Sequence, residues 1–481
     1  MHTNTQLRAL LLTLSLSLLA ACGGMGDVAY PGEVGPPVNA GVAPDGIGVT
    51  PGGVQDIEYA REQVASGSLP PSESITVEGL LSQHDLPAGG AACEDLLCLR
   101  PALGATRSAD TGDLTYWVYL GMKSGLTDFQ RPPLDLTIVM DRSGSMGGDM
   151  RETEQAVVNM LEQLRPDDRV SIVAFNDRRR VVFEHGPLTD LASVSRDVLS
   201  VEARGSWEIE SALEQALTIQ RAAGDSPERL RRIVVLSCGY PDASASSPFA
   251  QLVADAARER IGFTFLGILL GYDATLGALL GQTPGGSYHY VQDLQSTREF
   301  FGADFDTMMS PLAYDLSMRL DLGAGFTIDR AFGIPGDSVG APSASLDVAT
   351  AFASRRGGGI VVRLQQSGAF DQELGQVGLS YTPESAFGWT SEHSEDKPLS
   401  LPAEAATDVF WGTDTVQKAV VLVESAEGMR DALSLRESGS RDDALARMAQ
   451  VVEGLRSAAT ELDDEGLRTE LAFAEALQAL M

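Results

Sequence analysis

Apolar runs alternate with amphipathic stretches through the middle of the chain. Four runs rich in β-branched and aromatic residues have the continuous apolar pattern of buried strands: 134–140 (LDLTIVM), 169–175 (RVSIVAF), 232–238 (RIVVLSC) and 262–270 (GFTFLGILL). Segments with helical periodicity separate them, at 150–164, 210–223 and 248–259. Buried strands separated by helices indicate a mostly parallel, doubly wound sheet covered on both faces, and therefore an α/β fold.

The pattern changes on both sides of this central unit, which we assign to residues 134–312. Residues 55–133 contain a helical start, a Pro-Pro break and a strand, and we treat them as a separate N-terminal segment. Short strands with Gly and Pro between them predict a small β-rich domain over 313–405. Long amphipathic stretches predict a helical C-terminal region over 406–481.

The first residues have the features of a secretory signal. Arg8 precedes an apolar stretch that is too short to span a membrane, so residues 1–21 are predicted to be a signal peptide. The sequence Leu-Ala-Ala-Cys that ends at Cys22 resembles a bacterial lipobox, which would make Cys22 the lipidated first residue. Residues 22–54, rich in Gly and Pro, are predicted to be a flexible tether. Because Gly23 is not Asp, the signal resembles that of lipoproteins sent to the Gram-negative outer membrane.

Charge narrows the classes of partner. The chain has 481 residues with 35 basic and 67 acidic side chains, which gives a net charge of −32. Such a surface argues against binding to nucleic acid and against docking on anionic lipid headgroups, since both require positive charge. A protein or a surface polymer remains as the expected ligand.

Four cysteines occur in the chain, and one is assigned to lipidation at Cys22. Cys93 and Cys98 flank a short loop and are predicted to form a disulfide in an oxidising compartment. The alternative, half of a metal site, is disfavoured because no second cysteine pair is present and the five histidines are scattered. Cys238 has no predicted partner.

The clearest chemical signal is the turn that follows the strand at 134–140. Asp141, Ser143 and Ser145 place one carboxylate and two hydroxyls on a Gly-containing turn between a strand and a helix. Ligands of open α/β sheets bind outside the carboxyl ends of the strands, an end that we call the ligand edge. Carboxylate and hydroxyl oxygens suit a hard divalent cation.

This turn and its flanks resemble the von Willebrand factor type A (VWA) family, whose metal-ion-dependent adhesion site (MIDAS) begins Asp-x-Ser-x-Ser. Residues 164–172 (LRPDDRVSI), 57–78 and 285–290 (GGSYHY) are similar to a bacterial branch that has an N-terminal VWA-associated segment and a C-terminal extension. The resemblance implies that Ser143 and Ser145 bind a cation directly, with Asp141 close by or acting through water.

Two further positions depart from the family pattern. The resemblance implies a Thr ligand in a second loop, where this chain has Ser206-Trp207-Glu208, with Trp207 at the Thr position. It implies an Asp in a third loop, where this chain has Cys238. An indole has no lone pair for a cation and a thiol is soft, so neither suits Mg²⁺ or Mn²⁺.

We therefore expect an incomplete MIDAS, with no certain cofactor. Rotation of Ser206 or Glu208 into the site would be needed to restore it. The alternative role for Asp141, Ser143 and Ser145 is to cap the following helix. Trp207 is expected either to pack over the altered site or to be exposed as a binding anchor.

The resulting prediction is a lipid-anchored protein of the cell envelope, not an enzyme, whose VWA domain binds a protein or surface polymer. One alternative is a structural scaffold that acts through the C-terminal helices. Another is an enzyme built on Cys238, for which the histidines of the same domain, His185 and His289, form no recognisable catalytic motif.

Overall fold

The computed structural model describes residues 47–54, 57–107, 112–268, 273–291, 301–302, 304–334 and 343–481. These residues form an α/β unit, a large antiparallel sheet and a group of C-terminal helices. The predicted signal peptide, Cys22 and most of the predicted tether lie outside the described residues. None of the helices in the described part is both long enough and apolar enough to span a membrane.

The strands are β1 (Gly48–Pro51), β2 (Gly53–Val54), β3 (Leu97–Arg107), β4 (Leu114–Ser124), β5 (Leu134–Asp141), β6 (Arg169–Phe175), β7 (Arg179–Gly186), β8 (Leu230–Ser237), β9 (Gly262–Ile268), β10 (Gly286–Val291), β11 (Pro311–Leu322), β12 (Phe326–Phe332), β13 (Ser343–Ser354), β14 (Gly359–Gln366), β15 (Glu373–Pro383), β16 (His393–Ser400) and β17 (Phe410–Trp411). The α-helices are α1 (Glu58–Ala65), α2 (Val77–Ser82), α3 (Met150–Glu162), α4 (Leu191–Val198), α5 (Ile209–Ala223), α6 (Pro248–Arg258), α7 (Ala274–Gly281), α8 (Phe305–Met308), α9 (Asp414–Glu437), α10 (Arg441–Glu461) and α11 (Glu465–Leu480).

The α/β unit contains a seven-stranded sheet in the order β2-β10-β9-β8-β5-β6-β7. Its neighbouring strands are parallel except for β7, which is antiparallel to β6. Every residue of the central strands β5 and β8 is buried, as a continuous apolar run predicts. The predicted α/β fold class is confirmed, as a mixed and mostly parallel sheet accompanied by a β region and C-terminal helices.

Two details of this unit differ from the sequence prediction. The sequence at 287–291 (SYHYV) predicts an edge strand, but β10 is not at the edge, because β2 pairs with its outer side. The predicted tether therefore ends earlier than residue 54, since β1 and β2 are both strands in sheets. The sequence also predicts a helix over 294–309, of which residues 294–300 and 303 lie outside the described residues. Residues 301–302 and α8 are helical.

The second sheet has ten strands and gathers them from distant parts of the sequence. Its main path is β12-β14-β4-β1-β13-β11-β15-β16, and β3 pairs with both β4 and β17. The predicted boundary between an N-terminal segment at 55–133 and a β-rich domain at 313–405 is thus wrong at the level of the sheet. Strands β3 and β4 precede the α/β unit in the sequence. Strand β4 nevertheless pairs with β14, which follows the α/β unit in the sequence.

The C-terminal helices α9, α10 and α11 pack on one another and against the N-terminal helices α1 and α2. Their buried apolar residues share one core with Trp117 and Tyr119 of β4. The N-terminal and C-terminal helices are therefore joined in one hydrophobic cluster.

Candidate functional site

The predicted elbow after β5 is present and lies at the ligand edge. Asp141 is the last residue of β5 and is fully buried, and Ser143 is 1% exposed. Ser145, on the short 3-10 helix Gly144–Gly147, is exposed. The two hydroxyls are 2.9 Å apart, so the structure brings these three predicted residues together.

A hydrogen-bond chain links the elbow to the loop after β8. The Ser237 hydroxyl donates to Asp141 Oδ2 at 2.6 Å, and the Trp207 indole N–H donates to Ser237 Oγ at 3.0 Å. The backbone N–H of Gly239 also donates to Ser237 Oγ, at 2.9 Å. The other carboxylate oxygen of Asp141 accepts the backbone N–H of Ser143 at 2.8 Å. Both oxygens of the buried carboxylate are therefore satisfied by the protein.

Ser237 is the residue that the sequence analysis missed. The register of β5 and β8 pairs Met140 with Leu236, so Asp141 and Ser237 follow at the same level of two adjacent parallel strands. That adjacency could have been inferred from the strand order of the fold. The hydrogen bond from Trp207 could not, because it depends on the conformation of the loop before α5.

Trp207 fills the space between these loops. Its side chain is half-buried, and its ring meets Phe175 in a T-shaped contact at 6.2 Å between centroids. A Cβ atom on Gly239 would lie 2.5 Å from the indole nitrogen, so a glycine is needed for the indole to fit. Of the two roles expected for Trp207, its contacts show packing over the altered site, and the exposed part of its ring leaves a face on which a partner can bind.

The remaining predicted positions are also at this edge. Cys238 is 6% exposed, and its thiol lies 3.5 Å from Ser145 Oγ. Ser206 and Glu208 are exposed, and neither side chain hydrogen-bonds within the described residues, so they do not turn into the elbow. The predicted capping role is wrong for α3. Its N-cap is Asp149, and the Asp141 carboxylate instead accepts the N–H of Ser143 within the turn.

The electrostatics follow from this burial. Burial raises the pKa of Asp141, and the hydrogen bonds from Ser237, Ser143 and Trp207 offset part of that rise. A raised pKa means that ionisation of Asp141 opposes folding as pH increases through its titration. The three donors are what allow the carboxylate to remain buried at neutral pH.

The donor set is a poor match to a hard dication. It offers two hydroxyls and a carboxylate whose two oxygens already accept hydrogen bonds, and it faces an N–H donor and a thiol. Mg²⁺ requires about six oxygens in near-octahedral geometry. Among the described residues, no three His, Cys, Asp or Glu side chains converge as a metal cluster would require.

Comparison with known proteins concerns the fold of the α/β unit that carries this site. The family model of the von Willebrand factor type A domain matches residues 135–303. A solved VWA structure from Catenulispora acidiphila is similar over 79% of this chain and 91% of that one, with a TM-score of 0.50 and 16% identity. This likeness concerns the fold alone. Residues 135–303 form a VWA domain.

Two curated relatives match this VWA domain and its flanks. The uncharacterized protein sll0103 of Synechocystis sp. is 26% identical over 194 residues, which are 40% of this chain and 46% of that protein. Inter-alpha-trypsin inhibitor heavy chain H2 of Mus musculus is 29% identical over 151 residues, 29% of this chain and 16% of that protein. The chain thus matches less than half the length of either relative.

The Ser237 hydroxyl can be tested for its part in this arrangement. We expect Ser237→Ala to lower the free energy of unfolding by about 2 kcal/mol at neutral pH, since it removes a donor to a buried carboxylate and an acceptor for the indole. The loss should shrink as pH falls through the raised titration range of Asp141, which lies above the ordinary Asp range, because a protonated Asp141 no longer needs that donor. Urea unfolding at several pH values measures both effects. Exposed Ser246→Ala, in the same loop, is the control and should change stability by less than about 0.5 kcal/mol.

Proposed function

We propose that the VWA domain binds another protein or a surface polymer through its ligand edge, without a divalent cation. The observation that carries this proposal is the chain Trp207–Ser237–Asp141, in which the indole N–H donates to the Ser237 hydroxyl and that hydroxyl donates to the carboxylate. The backbone N–H of Ser143 donates to the other carboxylate oxygen. A cation in the elbow would have to compete with those protein donors. The MIDAS of this domain is accordingly proposed to be degenerate.

Trp207 is proposed to be the main contact of this edge. Tryptophan is over-represented among residues whose truncation weakens protein interfaces most. Tyr240, two residues after Cys238, is 40% exposed and is one of the few large apolar side chains exposed in the described part. The two aromatic side chains therefore flank the loop after β8 and offer contact area that needs no metal.

The anchoring of the protein is a second part of the proposal. Cys22 is proposed to carry lipid and to tether the domains to the cell envelope, at the outer membrane of a Gram-negative bacterium. This rests on the sequence ending at Cys22 and on Gly23. The Cys93–Cys98 disulfide is formed, which is consistent with an oxidising compartment.

A catalytic role for Cys238 is disfavoured by the position of the histidines. His185 lies 3.6 Å from Asp135, near the start of β5, whereas Cys238 follows the end of β8. His289 is buried within β10, and burial lowers its pKa to about 3. We therefore propose a binding role rather than catalysis.

The scaffold alternative would need a free apolar surface on the C-terminal helices. The large apolar residues exposed in the described part are Leu191, Leu199, Tyr240 and Val409, and none of them lies in α9, α10 or α11. The apolar faces of these helices are used in the core that they share with α1 and α2. The ligand edge is thus the better candidate for partner binding.

The proposal predicts that Trp207→Ala weakens partner binding while chelation does not. After the partner has been identified by crosslinking in envelope fractions, its Kd should rise roughly 30-fold for Trp207→Ala, which corresponds to about 2 kcal/mol. EDTA should leave the Kd of the unmodified protein unchanged, and titration calorimetry with Mg²⁺ or Mn²⁺ should give no saturable heat.

Trp389→Ala, which removes a half-buried indole that packs on the core of the second sheet, is the matched control and should leave the Kd unchanged. Loss of binding in EDTA would disprove the metal-free mode. An unchanged Kd for Trp207→Ala would remove the proposed anchor.

A further inference from the structure

Four arginines gather beside the elbow, and we call them the arginine cluster: Arg142, Arg178, Arg180 and Arg204. Backbone hydrogen bonds hold their three loops together. The N–H of Arg142 donates to Phe175 O at 2.8 Å, and the N–H of Arg204 donates to Arg142 O at 2.8 Å. The turn between β6 and β7 closes with a bond from Asn176 N–H to Arg178 O. Backbone hydrogen bonds therefore hold the three loops in fixed positions relative to one another.

Arg142 is the unusual member of the cluster. It is 8% exposed, and its guanidinium donates through Nη2 to the Asn176 side-chain oxygen at 3.0 Å. Its Nε–H is buried and has no hydrogen-bond acceptor among the described residues. No carboxylate of the described part forms an ion pair with it. Burying a guanidinium with an unsatisfied N–H costs free energy, and an anion that accepts a hydrogen bond from it would reduce that cost.

The neighbouring arginines surround Arg142 with further positive charge and supply no counter-ion. Burial lowers the pKa of Arg142, and the positive charges of Arg204 and Arg180 lower it further. Arg178 and Arg180 are exposed, and their side chains form no ion pair within the described residues.

Two carboxylates lie near the cluster. Arg204 Nη1 is 3.8 Å from Glu202, in a pair whose side chains are 69% and 81% exposed. Asp177 also acts on Arg142, and its charge raises the pKa of that guanidinium. Glu202 and Asp177 therefore offset part of the charge of the four arginines, in a chain whose net charge is −32.

We propose that the arginine cluster binds the side-chain carboxylates of an acidic protein segment. This inference rests on the proposed function of the ligand edge and names the chemistry of the partner. A guanidinium binds a carboxylate through two parallel hydrogen bonds, and such charge-assisted bonds are stronger than neutral ones. The exposed Ser145 hydroxyl lies in the same elbow and can donate to a second carboxylate.

A protein segment fits this surface better than a nucleic acid or an anionic membrane. Those ligands present dense negative charge over long distances, and the remaining surface of this protein would repel them. An acidic segment can place a few carboxylates on a local patch. Trp207 beside the cluster completes the combination of aromatic and arginine side chains that is enriched at protein interfaces.

The test uses the full-length protein and a fluorescein-labelled oligoglutamate peptide as the probe. Fluorescence anisotropy should show binding that weakens as ionic strength rises. Arg142→Gln and Arg180→Gln should each raise the Kd of the peptide at least roughly tenfold. Since Arg142 is buried and its variant could misfold, the exposed Arg180 keeps the test decisive.

Arg179→Gln is the matched control, because neighbouring residues of a strand point to opposite faces and Arg179 is equally exposed. Its substitution should change the Kd of the peptide less than roughly twofold, because a charge outside the site attracts the peptide only at long range, where salt screens it. Equal effects of all three substitutions would overturn the proposal. So would binding to phosphatidylglycerol vesicles or heparin with no binding to oligoglutamate.

The same experiment separates this inference from the proposed function. If the peptide does not bind but capture of the identified partner still depends on Trp207 and resists EDTA, the arginine cluster is not the acidic-segment site and the metal-free edge stands. If the peptide binds through Arg180 but partner capture ignores Trp207, the proposed anchor fails and the cluster stands.

Discussion

Arg131→Met should lower the free energy of unfolding by about 4 kcal/mol, because it leaves a buried carboxylate without its cation. Arg131 precedes β5, and its side chain is fully buried. Its two Nη atoms bind both oxygens of Asp168, at 2.7 and 3.0 Å, and its Nε donates to Asp306 at 2.8 Å. The guanidinium also lies over the Phe305 ring, at 5.6 Å from its centroid.

The pair holds three parts of the chain at the end of the sheet opposite the ligand edge. Asp168 lies just before β6 and accepts the backbone N–H groups of Leu134 and Arg165, and Asp306 belongs to α8, ahead of the strand that enters the second sheet. Burial would raise the pKa of Asp168, but its bonds to Arg131 and to the backbone lower it. Without Arg131, the buried Asp168 carboxylate would therefore be stabilised by its backbone donors alone.

Urea unfolding measures the effect of this change. Arg319→Met is the control, since Arg319 is 58% exposed in its pair with Asp321, and exposed pairs contribute at most about 1 kcal/mol. The double variant Arg131→Met, Asp168→Asn should recover part of the loss because no buried charge remains. A loss for Arg131→Met no larger than that of the control would refute the role assigned to this pair.

The α/β unit was the part of the fold most accessible from sequence. Its strands are buried on both faces, so their apolar runs are continuous and stand out against the intervening helices. The second sheet was not accessible in the same way. Strand β4 pairs with β14, and nothing in a local pattern specifies a partner on the far side of a whole domain.

Two strands of that sheet show why a local sequence pattern can fail to indicate a strand. β13 is rich in Ser and Ala, whose small side chains give a weak hydrophobic alternation. β16 (HSEDKPLS) lies at the end of the sheet order, where one edge needs no partner and Pro398 is tolerated. An edge strand that is rich in charged side chains therefore has a sequence pattern typical of a loop.

The candidate site was predicted in position but not in its connections. The strand order brings Asp141 and Cys238 to one edge, and the loop before α5 brings Trp207 to the same place. The hydrogen bonds of Ser237 and the burial of Arg142 depend on side-chain conformations at loop junctions. The sequence indicates which residue types face each other, whereas the direction of each hydroxyl and guanidinium is determined by the packing around it.

Glu470→Gln should lower the free energy of unfolding at neutral pH by about 3 kcal/mol, because it removes the charge that compensates a largely buried cation. Glu470 on α11 is 2% exposed, and its Oε1 lies 2.6 Å from Arg61 Nη2 of α1 and 3.0 Å from His84 Nε2. Burial would raise the pKa of Glu470, but Arg61 and His84 outweigh burial and lower it to about 2. The C-terminal helix is thus joined to the N-terminal helices by a charge as well as by the shared core.

The sign of the pH dependence gives the sharper test. A depressed carboxyl pKa contributes stability above the unfolded value of 4.5, and this stability is lost as pH falls toward 2. Burial lowers the pKa of His84 from 6.5, which also makes acid destabilising as the unfolded histidine takes up a proton. The other charged groups near His84 are Lys418 and Asp464, which pair with each other at 2.7 Å.

The gap in unfolding free energy between the unmodified protein and Glu470→Gln should therefore be full near pH 7 and narrow steadily below pH 4.5. Glu475→Gln, on the same helix and 49% exposed in its pair with Arg456, should change stability by no more than about 1 kcal/mol at any pH. Urea unfolding across this pH range provides the measurement. If the difference in unfolding free energy stayed constant as pH falls, Glu470 would act through packing. Its charge would then make no contribution to holding α11 against the N-terminal helices.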